Sequence, residues 1–301
     1  MNRNSYYKYF QENIKPQIKL FEQYRMKTVK KVLISSIIMF ILGLLFAYIY
    51  IYISWKYNAA ALLLPFMLFF MYVFFIKSII NIIWTGKKYQ NWLIENVLPL
   101  FYEPIANFKV WPNNTDTEAI LNSKLFSNFD TQEDLSSIFG VYSNTNILIS
   151  NSRLTLPIKG AIKQNLFKGT IIELELDKNI NNHLILMSKN VKKASKYRQI
   201  NPKIVDLNKY LYAFSKNNNN IDIITKDFWD IIKRFGELYT AKSFRFSFNN
   251  STLIIALEQK RPWQFGFIFK SLLSEENYND LIDRFIIIYD LIDYIKSKQF
   301  C

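Results

Sequence analysis

Apolar positions are not spread evenly along the chain. They gather into two runs near the N-terminus, and a charge-studded alternation takes over downstream. From Val32 to Ser54 no residue carries a charge, and Ile, Leu, Phe and Tyr dominate. At about 1.5 Å rise per residue such a run covers a hydrocarbon core of about 30 Å with some tilt. After Trp55 and Lys56 a second uncharged run extends from Tyr57 to Ile76 and softens towards Trp84. Pro65 lies inside it, which a spanning helix tolerates better than a soluble one. The pattern predicts membrane spans over about 32–54 and 57–76, the second with a continuation to 84. So few residues separate the runs that the helices must be antiparallel, forming a transmembrane hairpin over 32–84. A signal peptide has an apolar core of about 7–15 residues, shorter than the first run, and no second span would follow it. The core hairpin of a soluble protein would not keep both runs free of charge.

Flanking charge sets the expected orientation. Arg25, Lys27, Lys30 and Lys31 precede the first span, Lys77, Lys87 and Lys88 follow the second, and the turn offers only Lys56. Lys and Arg collect on cytoplasmic flanks, so both termini of this multi-pass chain are expected in the cytoplasm. Residues 1–31 read as a basic amphipathic segment, broken at Pro16. It suits either an anionic leaflet or a solvated extension of the first span. Its four cations next to the bilayer are candidate anionic-lipid contacts.

Beyond the hairpin the period shortens. Residues 85–108 predict a stalk helix continuing the second span, with Trp92, Leu93, Val97, Leu98 and Phe101 as apolar positions. A helical candidate at Thr117–Phe126 precedes strand patterns at 140–150, Phe167–Leu176, His183–Met187 and Lys209–Phe214. The second of these is expected to pair back on the third across an Asn-rich turn, as a meander. Thr225 can cap a helix to about Leu238. The strict alternation Ser243–Phe248, then Asn249-Asn250, then Thr252–Leu257, predicts a β-hairpin. A last helix, about 274–298, presents Leu281, Phe285, Ile288, Ile292 and Ile295 on one face and closes on Lys296 and Lys298. The fold class expected is α+β: the membrane hairpin, then a mixed cytoplasmic domain, 109–301, with mainly antiparallel strands.

The net charge of +14 invites a nucleic-acid reading. Membrane flanks and an Asn-, Ile- and Lys-rich composition account for that charge without one, so no nucleic acid is expected. The strongest cluster, Lys189, Lys192, Lys193, Lys196, Arg198 and Lys203, lacks interleaved aromatics. Its Lys192, Lys193, Lys196 and Arg198 join the candidate anionic-lipid contacts, each cation adding about 1 kcal/mol near such a surface.

Other chemistry is sparse. His183 is the only histidine and Cys301 the only cysteine, which excludes a Cys/His zinc site and an intrachain disulfide. The seven glycines form neither G-x-G-x-x-G nor a P-loop. Glu173 and Glu175 share one face of a strand and are the only pair worth weighing for acid–base or divalent-ion work. A solvated strand face explains them as well. No catalytic, metal-binding or cofactor-binding residue is assigned, and no cofactor is expected.

The order of a two-span hairpin, Phe167-Lys168-Gly169 entering a strand, the aromatic strand Tyr210–Ser215, the helix around Phe228-Trp229 and the pattern Phe244–Leu257 resembles the bacterial membrane proteins of domain-of-unknown-function (DUF) family no. 3137. The likeness covers roughly residues 20–275. It implies a bacterial plasma-membrane location and a membrane partner, of LemA type or another kind, because genes of the two groups are often neighbours. It supplies no catalytic residue. The expectation is therefore a membrane-tethered interaction or scaffold protein that binds a protein partner or its own copy. A carboxylate-based membrane enzyme and an anionic-lipid surface sensor are the alternatives.

Overall fold

Helix dominates the first hundred residues, and antiparallel sheet dominates the remainder. The computed structural model describes residues 3–57, 60–97, 99–101, 108–110, 115–126, 128–156, 164–191, 197–216, 223–259, 271–273 and 276–298. The chain divides into two compact units. One is built from Met1–Tyr7, Leu98–Gln264 and Glu275–Cys301, the other from Lys8–Val97 and Phe265–Ser274.

α1 (Arg3–Tyr9), most of which belongs to the first unit, leads to the second unit's π-helical turn (Phe10–Ile14) and then to α2 (Lys15–Tyr57). Pro16 does not break the helix, contrary to expectation. The Lys15 N–H reaches back five residues to Phe10 O, and this widened turn accommodates a residue with no N–H to donate. At about 65 Å, α2 is twice as long as a bilayer core is thick. The basic residues after Pro16 and the apolar run thus lie on one continuous helix. Among the described residues one helical run, Tyr6–Ile53, is long and apolar enough to cross a membrane. Only 6 % of its most apolar window is buried.

α3 (Ala60–Asn96) packs along α2 in the opposite direction. Ser78 Oγ lies 3.4 Å from Ser36 Oγ, and Asn81 Nδ2 donates to Ser35 Oγ at 3.2 Å. Nearer the start of α2, Phe21 and Tyr24 close on Trp92 with ring centroids 5.4 and 4.3 Å apart, and Ile18 and Leu93 are fully buried. Of the stalk expected over 85–108, residues 85–96 belong to α3 and residues 99–101 are also helical. α3 stops at Asn96, just before Pro99, and 102–107 lie outside the described residues. Phe108 instead enters β1 (Lys109–Val110).

The first unit is an α+β fold around one antiparallel sheet. After β1 come α4 (Thr117–Asn122), β2 (Thr131–Tyr142) and β3 (Thr145–Leu156). Next are β4 (Gln164–Ser188), β5 (Arg198–Ile200), α5 (Val205–Tyr210) and β6 (Leu211–Ser215). The chain closes with α6 (Lys226–Leu238), β7 (Ser243–Glu258) and α7 (Glu276–Ser297). The strands take the order β1-β2-β3-β4-β6-β5, and β7 pairs with β4. Ser143 and Asn144, both at positive φ, form the two-residue turn between β2 and β3.

β7 bonds to the sheet along its whole length, yet its ends meet. The Lys242 N–H donates to Glu258 O at 2.8 Å, and Ser243 Oγ donates to Glu258 Oε2 at 2.7 Å. A straight strand of this length would hold them about 50 Å apart. The chain therefore folds back at Asn249-Asn250, where Asn250 takes φ 54°. β4 makes the same reversal: Gly169–Glu175 runs beside Thr252–Glu258, and Leu184–Met187 beside Arg245–Phe248. The expected meander is not formed. The first arm of β4 already has β3 on one side and β7 on the other, so His183–Met187 pairs with β6 and β7 instead.

Both faces of this sheet are covered, which explains the unbroken burial of Leu253–Leu257. On one face Ile120, Leu125 and Phe126 join Phe167, Ile171, Met187, Phe214 and Ile254 in a core cluster. On the other, α6 sets Phe228 against Phe248 and Phe235 against Phe246, at 5.9 and 6.2 Å between centroids. There α7 stacks Tyr289 on Tyr142 and Phe285 against Phe108.

Candidate functional site

Residues expected to touch anionic lipid have different fates. Lys27, Lys30 and Lys31 lie on α2 beside the start of the apolar run, and all three are exposed. Arg25 is not available: it is 6 % exposed, and both Nε and Nη2 bond to Glu22, at 2.7 Å for the closest contact. Glu22 also accepts from the Leu272 N–H and from Ser271 Oγ, at 2.9 and 3.1 Å. Arg25 thus completes an internal polar knot. Arg198 is exposed on β5, and Lys192, Lys193 and Lys196 lie outside the described residues.

The carboxylate pair separates by environment. Glu175 is exposed and accepts from Asn146 Nδ2 at 2.8 Å. Glu173, two residues back on the same face, has a buried Oε2 with no hydrogen-bond partner among the described residues. Burial, reinforced by the negative charges of Asp116 and Glu175, pushes its carboxyl up to about 7. Among the described residues no group of three or more His, Cys, Asp or Glu is arranged to hold a metal ion. His183 is committed to the core. Its Nε2 bridges Ser123 O and Ser247 Oγ at 3.0 and 2.9 Å, while Nδ1 meets Tyr197 OH at 3.0 Å. Burial holds its pKa below the ordinary value, favouring a neutral ring.

A concavity lies elsewhere in the first unit, where the end of β4, α5, α6 and the start of β7 converge. It is an open cleft of about 680 Å³, within the range of ligand sites. Its floor is aromatic: Tyr210 stacks offset on Trp229 at 6.0 Å and 16°, and Phe244 lies alongside. Its walls are pinned by main-chain contacts. Ser188 Oγ accepts from the Phe244 N–H at 2.9 Å, Lys189 N–H donates to Tyr210 O at 3.0 Å, and Asn190 Nδ2 donates to Lys242 O at 2.7 Å. The rim carries Lys189, Lys209, Lys233 and Lys242 against Asp206 and Glu237. None of the four lysines pairs with a carboxylate among the described residues. Lys189 and Lys209 instead stand over the rings of Tyr212 and Tyr210, 5.5 and 5.6 Å from the centroids. The cleft can hold an apolar or planar group on its floor and counter-charges at its rim.

Only Lys189 of this rim belongs to the basic cluster visible in the sequence. The row Trp229, Lys233, Glu237 at four-residue spacing on α6 is the one local signal, since such residues share one helix face. Its union with Lys209 and Lys242 depends on how β4, β6 and β7 pair, which no local pattern reveals.

No protein-family model matches the chain, and no curated protein matches it. Among solved structures, the crystal structure of the mycobacterial trehalose monomycolate transport factor A, TtfA, is similar over 62 % of this chain and 86 % of that chain. The identity is 9 % and the TM-score 0.38. A likeness at that level carries no functional argument.

Proposed function

We propose that the protein is a membrane-anchored interaction module, held in a bacterial plasma membrane by α2 and α3 as a two-span hairpin with both termini in the cytoplasm. Its α+β unit binds a protein partner beside the membrane. The observation that carries this reading is the exposed apolar surface of α2 in a chain that also folds a sheet unit with an open, preorganised cleft. From Leu33 to Trp55 large apolar side chains face outward all round the helix, a surface that only lipid or other spans would cover. The uncharged run at 57–76 and the cations on both cytoplasmic flanks support the second span and the orientation. The resemblance to DUF family no. 3137 in the order of the apolar runs and strand patterns is what suggests the bacterial location and a membrane partner of LemA or another type.

The test is affinity capture of the full-length protein from crosslinked native membranes. A specific membrane-associated partner, recovered at a reproducible ratio, is the expected outcome. Recovery of the protein alone overturns the partner reading. Extraction of the protein by carbonate or urea without detergent overturns the anchor.

A further inference from the structure

The cleft between α5, α6 and the start of β7 has a chemistry that names its occupant. Resting on the interaction-module reading, we infer that it is the docking site for an acidic peptide segment of the partner protein, seated with an aromatic or large aliphatic side chain on the Tyr210–Trp229 floor.

Three observations carry this. The rim holds four lysines that no carboxylate neutralises among the described residues, against two acids, so it favours a segment of net negative charge. The floor is aromatic and only its inner part is recessed: Trp229 is 7 % exposed, whereas Tyr210, stacked on it, is 54 % exposed. A flat bilayer surface reaches the exposed cations and Tyr210 but not the buried Trp229, while a side chain on a peptide reaches all of them. Moreover, Asp206 and Glu237 stand among the lysines. They oppose a uniform phosphate backbone but satisfy a peptide that carries an occasional cation or free N–H. A single-stranded nucleic acid would use the aromatic floor and lysines yet meet those two carboxylates. A second copy of this chain is disfavoured by its net charge of +14, which makes two copies repel.

The experiment uses the full-length protein in non-ionic detergent and a fluorescein-labelled peptide of alternating glutamate and phenylalanine, read by anisotropy. Controls are the same peptide with serine for phenylalanine, an oligo-thymidylate, and phosphatidylglycerol vesicles. Saturable binding of the Glu-Phe peptide is expected, falling as salt rises. It should weaken about tenfold or more in Lys233→Glu/Lys242→Glu and, separately, in Tyr210→Ala. None of the three positions is buried, so each variant should melt as the wild type does, and its melting transition is measured alongside. Failure of the peptide to bind, equal binding by both variants, or equal binding of the serine control overturns the inference. So does preferential binding of the oligonucleotide or vesicles through the same lysines. Native-membrane capture separates the two readings. If Lys233→Glu/Lys242→Glu still captures the wild-type partner, the cleft assignment fails and the interaction module stands. If wild type captures nothing, the module itself fails.

Discussion

Glu173 shows how much one side chain can set the response of the fold to pH. An unfolded glutamate loses its proton near pH 4.3, whereas the folded unit holds this one until about 7. Between those values the native state binds the extra proton, so stability declines as pH rises through the window and levels off above it. The decline is bounded at about 4 kcal/mol. Glu173→Gln removes the titration, so denaturant unfolding in detergent should show the variant more stable than wild type near pH 8 and close to it near pH 4.5. A wild-type midpoint that does not move across that window contradicts the assignment. Gly169 is constrained differently: a Cβ there would run into the carbonyl oxygen of Leu257 on the neighbouring arm of β7, which as backbone has nowhere to go. Gly140 faces the ring of Phe108, 2.5 Å from an added Cβ, and a ring can tilt away. Gly169→Ala is therefore expected to destabilise by about 2–3 kcal/mol and Gly140→Ala by less, measured on the same denaturation curves. The Phe-Lys-Gly triplet is visible in the sequence, but nothing in it reveals that its glycine is required by a strand almost ninety residues away.

Among the elements, local signals are legible where one period rules a long segment. The capped helix after Thr225, the last helix and the reversal at Asn249-Asn250 all appear where the pattern puts them, because capping and left-handed turn residues act over a few neighbours. Pairing is not legible. Nothing within Phe167–Met187 tells that its two arms embrace β7 rather than each other, since the choice depends on which edges other strands have already taken. Pro16 defeats the local pattern for a related reason: the widened turn that admits it has no sequence signature. At the base of α2 the same lesson concerns charge. Arg25 resembles its neighbours Lys27, Lys30 and Lys31 in the sequence, but Glu22 binds it and also anchors the Leu272 N–H. Removing the acceptor in Glu22→Ala should raise the exchange rate of the Leu272 amide about tenfold or more, as loss of a hydrogen bond to a charged group does. Hydrogen exchange unchanged at Leu272, with a folded α2, would show that the segment is held by other contacts.

For the whole molecule, the choice between one span and two is a question of where charges end up. With α2 and α3 packed antiparallel, a single span would leave the uncharged run of α3 in water, beside a helix whose apolar side chains are exposed all round. That arrangement exposes large apolar side chains such as Phe69, Tyr72 and Phe75 with nothing to cover them. Two spans bury both runs and put Arg25 to Lys31 and Lys77 to Lys88 on one side, leaving only Lys56 on the other. Cysteine chemistry reads this out directly, because Cys301 is the chain's only thiol. In intact spheroplasts a membrane-impermeant maleimide should leave Cys301 unlabelled and should label it once the membrane is permeabilised. In a Cys301→Ser background, Lys56→Cys, exposed at the end of α2, should behave in the opposite way and react in intact cells. Labelling of Cys301 without permeabilisation would invert the orientation. Protection of both thiols in intact cells would place Lys56 on the cytoplasmic side as well and exclude the two-span hairpin. The reciprocal pattern alone requires that the chain cross the membrane before Lys56 and return before the sheet unit.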